Sequence, residues 1–309
     1  MGVRVVGLDI GAEQVRAVAL QKQRHQCILT GVGLRAIPRQ ADDEVVARAV
    51  KVALRDAGAG KNTAVCAAIG GPEVLVKGLQ LPRIPLPRVL EAVRWNLREH
   101  GLLPVGGAFL DAQVMSTSAE GQMQILAVCA PQELVEQRLQ ILARAGVVPQ
   151  KMDVEPLALL NAVLAMHEMA MDETLVLLSL APALICVHRA AAGAPLIRYL
   201  EHQQESMADM VAEIRTTVAY FQTWHTTESA IRVVYCGPRH ACAALQDAMQ
   251  ELLALWNQRA APILFDPLAR LAGTARVLAL AGTARALTAD KSIDGSQFAQ
   301  AVGLAMRAL

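Results

Sequence analysis

Val3-Arg-Val-Val-Gly-Leu-Asp-Ile-Gly-Ala-Glu-Gln-Val-Arg-Ala-Val-Ala-Leu20 reads as two short apolar strands joined by a tight turn that carries Asp9 and Gly11. In such a hairpin Gly11 is expected to take φ > 0 and let the backbone approach a phosphate closely. Asp9, beside it, has the chemistry to hold a magnesium-bound water. An ordinary N-terminal hairpin with a glycine turn reads the same residues. The rest of the chain has to decide between a nucleotide site and a plain ribbon.

The apolar runs continue outward from this hairpin. Asp42-Asp43-Glu44 caps an amphipathic helix with Val46, Val50, Ala53 and Leu54 on one face and Gly58 at its close. Thr63–Ile69 is a buried strand ending at Gly70-Gly71. Val74–Leu81 is a strand, and the prolines at 82, 85 and 87 lead into a helix, Arg88–Glu99. Ala108–Met115 and Gln122–Ala130 form an antiparallel pair across a polar turn. Pro131 opens a helix to Ala145 with Gly146 in the C′ position, and strand Gln150–Val154 closes the series. This β-α-β-β-α-β order is a two-layer unit in its own right. Beyond helix Pro156–Met169, strands are expected at Leu175–Leu180, Ala183–His188, Leu196–Leu200, Ile231–Cys236 and Pro262–Phe265. Helices are expected at Ser206–Trp224, Cys242–Leu255 and Ser296–Leu309. Leu271–Arg276 recurs as Leu280–Arg285, which in an Ala-rich segment reads as local duplication.

Composition narrows the class. With 309 residues the chain is long enough for two domains. A net charge of +1 gives no reason to expect a nucleic acid or an acidic lipid as partner. Six cysteines, Cys27, Cys66, Cys129, Cys186, Cys236 and Cys242, stand singly and without zinc spacing, so they read as buried free thiols in a reducing, cytoplasmic setting. The N-terminus enters a strand at once and lacks a signal h-region. The longest uncharged run, Thr174 to Val187, contains Pro182 and is too short to span a bilayer.

Several ordered segments carry a family resemblance: Gly7-Leu-Asp-Ile-Gly11 with Val15-Arg16, Leu90-Glu-Ala-Val-Arg-Trp95, Phe109-Leu-Asp-Ala-Gln-Val114, Glu133-Leu-Val-Glu136, Ala145-Gly146, Met152-Asp-Val-Glu-Pro156 and Ala301-Val-Gly-Leu-Ala-Met-Arg-Ala-Leu309. The chain resembles the PilM family of type IV pilus assembly proteins, actin-like and related to FtsA. The resemblance implies an α/β, actin-like (ribonuclease H-like) two-domain fold with the β-α-β-β-α-β module inserted. On it, residues 1–72 form an actin-like subdomain of the first half, 73–154 the module, and 155–309 the second half. It also implies a cytoplasmic scaffold of the pilus, or a related type II secretion machine, held at the inner membrane through partners. There it would bind the cytoplasmic N-terminal peptide of a PilN-like membrane protein in a groove between the first subdomain and the module. Other platform or motor proteins are further implied partners; no direct membrane insertion is.

An actin-like nucleotide site has two phosphate hairpins and a glycine-rich turn. Asp9 and Gly11 match the first hairpin, but the family's following serines are Ala12 and Glu13. At the second, Ser179, Leu180 and Ala181 replace Asp-Ile-Gly, and Pro182 removes an amide donor. The third is reduced to Tyr235-Cys236-Gly237-Pro238. The joint between Leu200 and Ser206 is too short for the family's base-gripping subdomain. The site therefore reads as vestigial, with no cofactor and no catalytic residue, a pseudo-ATPase. The alternative is an ATP- and magnesium-dependent ATPase or switch, and an FtsA-like division adaptor is a third reading. Asp153 and Glu155 read as a helix N-terminal cap rather than an acid–base pair. His188, His202, His225 and His240 read as surface or loop residues. Arg83, Arg88, Arg94 and Arg98 read as a solvated face, with Arg83, Arg88 and Arg94 as a basic rim if the peptide groove lies beside them.

Overall fold

Strand β1 (Arg4–Ile10) is buried from Val5 onward, which is why its apolar run has no polar alternation: both faces of the strand are covered. The computed structural model describes residues 3–23, 26–189, 193–200, 207–224, 230–238, 241–243, 245–246, 249–250, 261–271 and 294–309. Strand β1 pairs antiparallel with β2 (Gln14–Gln23), and β2 with β3 (Gln26–Ala36). On its other side β1 runs parallel to β4 (Ala64–Ile69), reached through helix α1 (Asp43–Asp56). Asp42 caps α1 as expected, its carboxylate accepting from the Val45 amide at 2.8 Å. Residues Val46, Val50, Ala53 and Leu54 of α1 pack on Val6, Leu8 and Val15.

The inserted sheet has three strands in the order β5-β7-β6, namely β5 (Leu75–Pro82), β6 (Ala108–Thr117) and β7 (Gln122–Pro131). A 3-10 turn at Leu86–Arg88 leads into α2 (Val89–Glu99). Val89, Val93 and Leu97 of α2 cover Met123, Ile125, Ala127 and Cys129 of β7. The expected last strand of this module lies elsewhere. Strand β8 (Lys151–Val154) runs parallel to β4 and completes the first sheet, in the order β3-β2-β1-β4-β8. Helix α3 (Gln132–Arg144) goes with it, because Ile141 and Leu142 face the α1 core rather than α2. Gly146 closes α3 at φ +76°.

The second half repeats this plan. Strands β9 (Thr174–Leu180), β10 (Ala183–His188) and β11 (Leu196–Tyr199) form an antiparallel meander. Strands β12 (Ile231–Cys236) and β13 (Ile263–Leu264) add on in parallel, giving β11-β10-β9-β12-β13. Helix α5 (Met207–Trp224) lays Ile214, Val218 and Phe221 on this sheet, beside Cys242, Leu245 and Met249. The Leu271/Leu280 repeat beyond Leu271, the end of the helix expected from Cys242, the joint at 201–206, and His202, His225 and His240 lie outside the described residues. His188 is half-buried at the end of β10, where its ring loses proton affinity to desolvation, so it is not the surface residue expected.

Two helices lie between the halves. Helix α4 (Glu155–Met166) covers the second sheet through Leu159, Leu160 and Val163. After a short helix, α6 (Pro267–Arg270), and a 3-10 turn at Gly295–Phe298, helix α7 (Ala299–Ala308) covers the first sheet through Ala301, Val302 and Ala305. They touch at glycine: a Cβ on Gly303 would stand 1.8 Å from the Ala158 carbonyl oxygen, and one on Gly7 of β1 1.9 Å from that of Ala301. Of the six cysteines, all free, only Cys27 is not buried. Among the described residues no helix is long and apolar enough to cross a membrane.

Candidate functional site: the floor between the halves and the cleft beside the module

Strand pairing sets the first contact of the floor. Asp9 and Arg16 are partners in the β1–β2 register, and Arg16 Nη1 lies 2.9 Å from Asp9 Oδ2, with both side chains buried. The Asp9 carboxylate, expected to face a metal-bound water, is held by an arginine of its own hairpin. Arg16 Nη2 also donates to Gln14 Oε1 at 3.0 Å. Gly11 does not take positive φ; its amide donates to the Gln14 carbonyl at 3.0 Å and closes the turn internally. Glu13, which stands where the family has a serine, is ion-paired with Arg39 at the surface.

Two further charges converge on Asp9 from distant segments. Arg138 on α3 donates to the Ile10 carbonyl at 3.1 Å, near Asp9 and Glu155. Glu155 opens α4 and is buried against Gly70, whose missing side chain makes room for its carboxylate. Burial, and then the Asp9 charge, push the Glu155 pKa up to about 7; Arg138, the nearby Gln300 amide and Arg16 oppose this. Asp9 is likewise raised, because burial outweighs the pull of Arg16. Tyr199 of β11, half-buried near Glu155, is also held above its ordinary value by desolvation. Two acids and two arginines therefore meet in balance.

The cap expected of Asp153 and Glu155 is not made. Val154 is the N-cap residue and no side chain caps α4. Asp153 instead lies 3.2 Å from Arg307 of α7. Its pKa is raised, mainly by burial.

Among the described residues of the second half, the positions expected to meet a phosphate are engaged within the fold. Ser179 is buried and pairs in register with Cys236, and Leu180 pairs with Ala183 across the Ala181–Pro182 turn. Gly237 has φ +136°, a conformation that requires glycine, and it sits against Leu180. Its carbonyl accepts from Ser296 Oγ at 2.6 Å. Arg138, Gln300 and Ser296 had no local signal in the sequence, since each acts through a neighbour far along the chain.

A second concavity opens where the module joins the first half. This cleft of about 690 Å³ is lined by Glu73, Gly101–Val105, Pro131, Glu133, Leu134 and Gln137. Arg83, Arg88 and Arg94 are exposed but do not line it. Arg83 donates its amide to Gly121 at the Gln122 end of β7, whereas the cleft holds Pro131, about 30 Å away at the other end of that strand. Arg94, by contrast, stands near Cys129, two residues from Pro131, so the anticipated rim is split between the two ends of β7. The wall carries carboxylates instead.

A family model described as type IV pilus assembly protein PilM matches residues 7–182, more than half of the chain. Among solved structures, the chain is similar to a PilM–PilN type IV pilus biogenesis complex, at 21% identity over 99% of both chains with a TM-score of 0.78. It is also similar to a Bacteroides thetaiotaomicron protein with an actin-like ATPase fold, at 10% identity over 89% of this chain and 95% of that one, TM-score 0.51. No curated protein matches it in sequence. The α/β actin-like fold expected from the ordered motifs is the fold observed, and the chain belongs to the PilM family of type IV pilus assembly proteins.

Proposed function

We propose that this protein is a scaffold of the pilus assembly platform, or of a related type II secretion platform, that takes the N-terminal cytoplasmic peptide of a PilN-like inner-membrane protein into the cleft beside the module. The similarity to a PilM–PilN complex supports the choice of partner. The observation that carries the reading is the cleft itself, where Leu102, Leu103, Pro104, Val105 and Leu134 offer apolar contact beside Glu73 and Glu133. Such a wall suits an extended peptide with apolar side chains and a cationic group. Contact with such a protein would hold the scaffold at the inner membrane, facing the motor layer.

The floor between the halves has a different part in this reading. Asp9 is neutralised by Arg16, and Pro182 has no amide to give. These arrangements favour a pseudo-ATPase in which internal ion pairs do the bracing that a nucleotide and its metal do in an active relative.

Titration of the full chain with a fluorescent PilN-type N-terminal peptide tests the scaffold role. Glu133→Arg, on the exposed wall, is expected to weaken binding at least about tenfold through like-charge opposition, while Arg88→Glu leaves it unchanged. Equal affinity for the native protein and Glu133→Arg would remove the cleft from consideration.

A further inference from the structure

The outer face of α2 combines two properties that its solvated reading does not explain. Leu86 is 70% exposed, Leu90 41% and Trp95 62%, three large apolar side chains within ten positions. Arg83, Arg88, Arg94 and Arg98 stand exposed among them, and none has an ion-pair partner among the described residues. Leu90, Arg94 and Arg98 follow one another at steps of four, while Glu91 and Trp95 form a neighbouring row. The acids nearby are Glu91 in the middle of α2, Glu99 at its far end and Glu120 in the turn beside Arg83. Glu120 is engaged by Ser118. The whole chain carries only +1, so this arginine cluster is a local excess that the net charge conceals.

We propose that this face of the module docks directly on a membrane surface, with the arginines on anionic lipid headgroups and Leu86 and Trp95 entering the headgroup layer. Charge complementarity selects an anionic partner. Shape and side-chain chemistry select lipid over an acidic protein. The face is the outer side of a 3-10 turn and a helix, its residues line no part of the cleft, and the cleft lies beyond the other end of α2. A flat bilayer needs no groove. Tryptophan favours the interfacial layer, and arginine stems lie along apolar surface while their guanidinium groups reach phosphates. The opposite face of α2, with Val89, Val93 and Leu97, is fixed on β7, so docking is superficial and inserts no segment.

The test is co-sedimentation of the full chain with vesicles of phosphatidylglycerol and phosphatidylethanolamine, against vesicles of phosphatidylcholine alone. No membrane-protein peptide is added, so the result is separate from whether the cleft binds one. Binding is expected to anionic vesicles only and to fall steeply with added salt. Arg88→Glu with Arg94→Glu is expected to lower it about tenfold or more, with an unchanged melting curve to certify folding. Doxyl-labelled lipid is expected to quench fluorescence of the native protein and to lose most of that effect in Trp95→Phe. Failure to distinguish the two vesicle types overturns the proposal, as does undiminished binding by the charge-reversed variant or quenching that survives Trp95→Phe. Binding to soluble poly-glutamate with the same arginine dependence, but not to vesicles, also overturns it and assigns the face to an acidic protein.

Discussion

Glu155 stands at the first turn of α4, where a helix dipole favours a negative charge, yet its surroundings disfavour one. Burial and the neighbouring Asp9 lift its pKa from an ordinary 4.5 to about 7. Between those two values the folded chain binds more protons than the unfolded chain, so this residue's contribution makes stability fall as pH rises through the window. Glu155→Gln removes the titrating group while keeping its size. It is expected to flatten that decline, to gain up to about 3 kcal/mol at pH 8, and to change little near pH 4.5. Urea unfolding at the two pH values measures both, and an equal effect at both would show that ionisation is not what the residue costs. Arg16 has the opposite standing: it answers a carboxylate that would otherwise be buried alone, the situation that makes a single deletion expensive.

Elements meet here at glycine rather than at large side chains. Gly303 lets α7 rest on α4, and Gly7 lets it rest on β1. Gly303→Ala would put a methyl against the Ala158 carbonyl, so the helix has to move. A loss of about 1–3 kcal/mol is expected, read as a lowered melting temperature. Gly60→Ala, whose nearest neighbour would be Thr63 Oγ1 at 3.7 Å, is the control expected to melt like the native protein. Element by element, the strands were legible in the sequence because each is an apolar run bounded by glycine, proline or charge. Their neighbours were less so. Residues 151–154 announce a strand, but nothing local says that it runs beside Ala64–Ile69 rather than beside the module. Asp153 and Glu155 look like a cap because two acids at a helix start usually are one; their partners, Arg307 and Arg138, lie far off in the chain. Gly11 looked like a left-handed turn residue, but the Gln14 carbonyl closes the turn without one.

At the scale of the whole molecule, two sheets of matching connectivity face each other across α4 and α7. A nucleotide gripped between them would stabilise both at once: ligand at a hundred times its dissociation constant adds about 2.7 kcal/mol. If the floor is braced by its own ion pairs, millimolar Mg-ATP is expected to leave the melting temperature unchanged. A rise of several degrees would return the protein to the ATP-binding class. The same architecture bears on the order in which the protein can be made. Helix α7 covers Val5, Val18 and Leu20 of the opening hairpin. On the ribosome those strands emerge well before the helix and wait, one face bare, until residues 299–308 have been translated. The module, with a core of its own between α2 and β7, is free to settle meanwhile. Synthesis therefore runs in one direction, whereas completion of the first half waits on a helix encoded far downstream of the strands it covers.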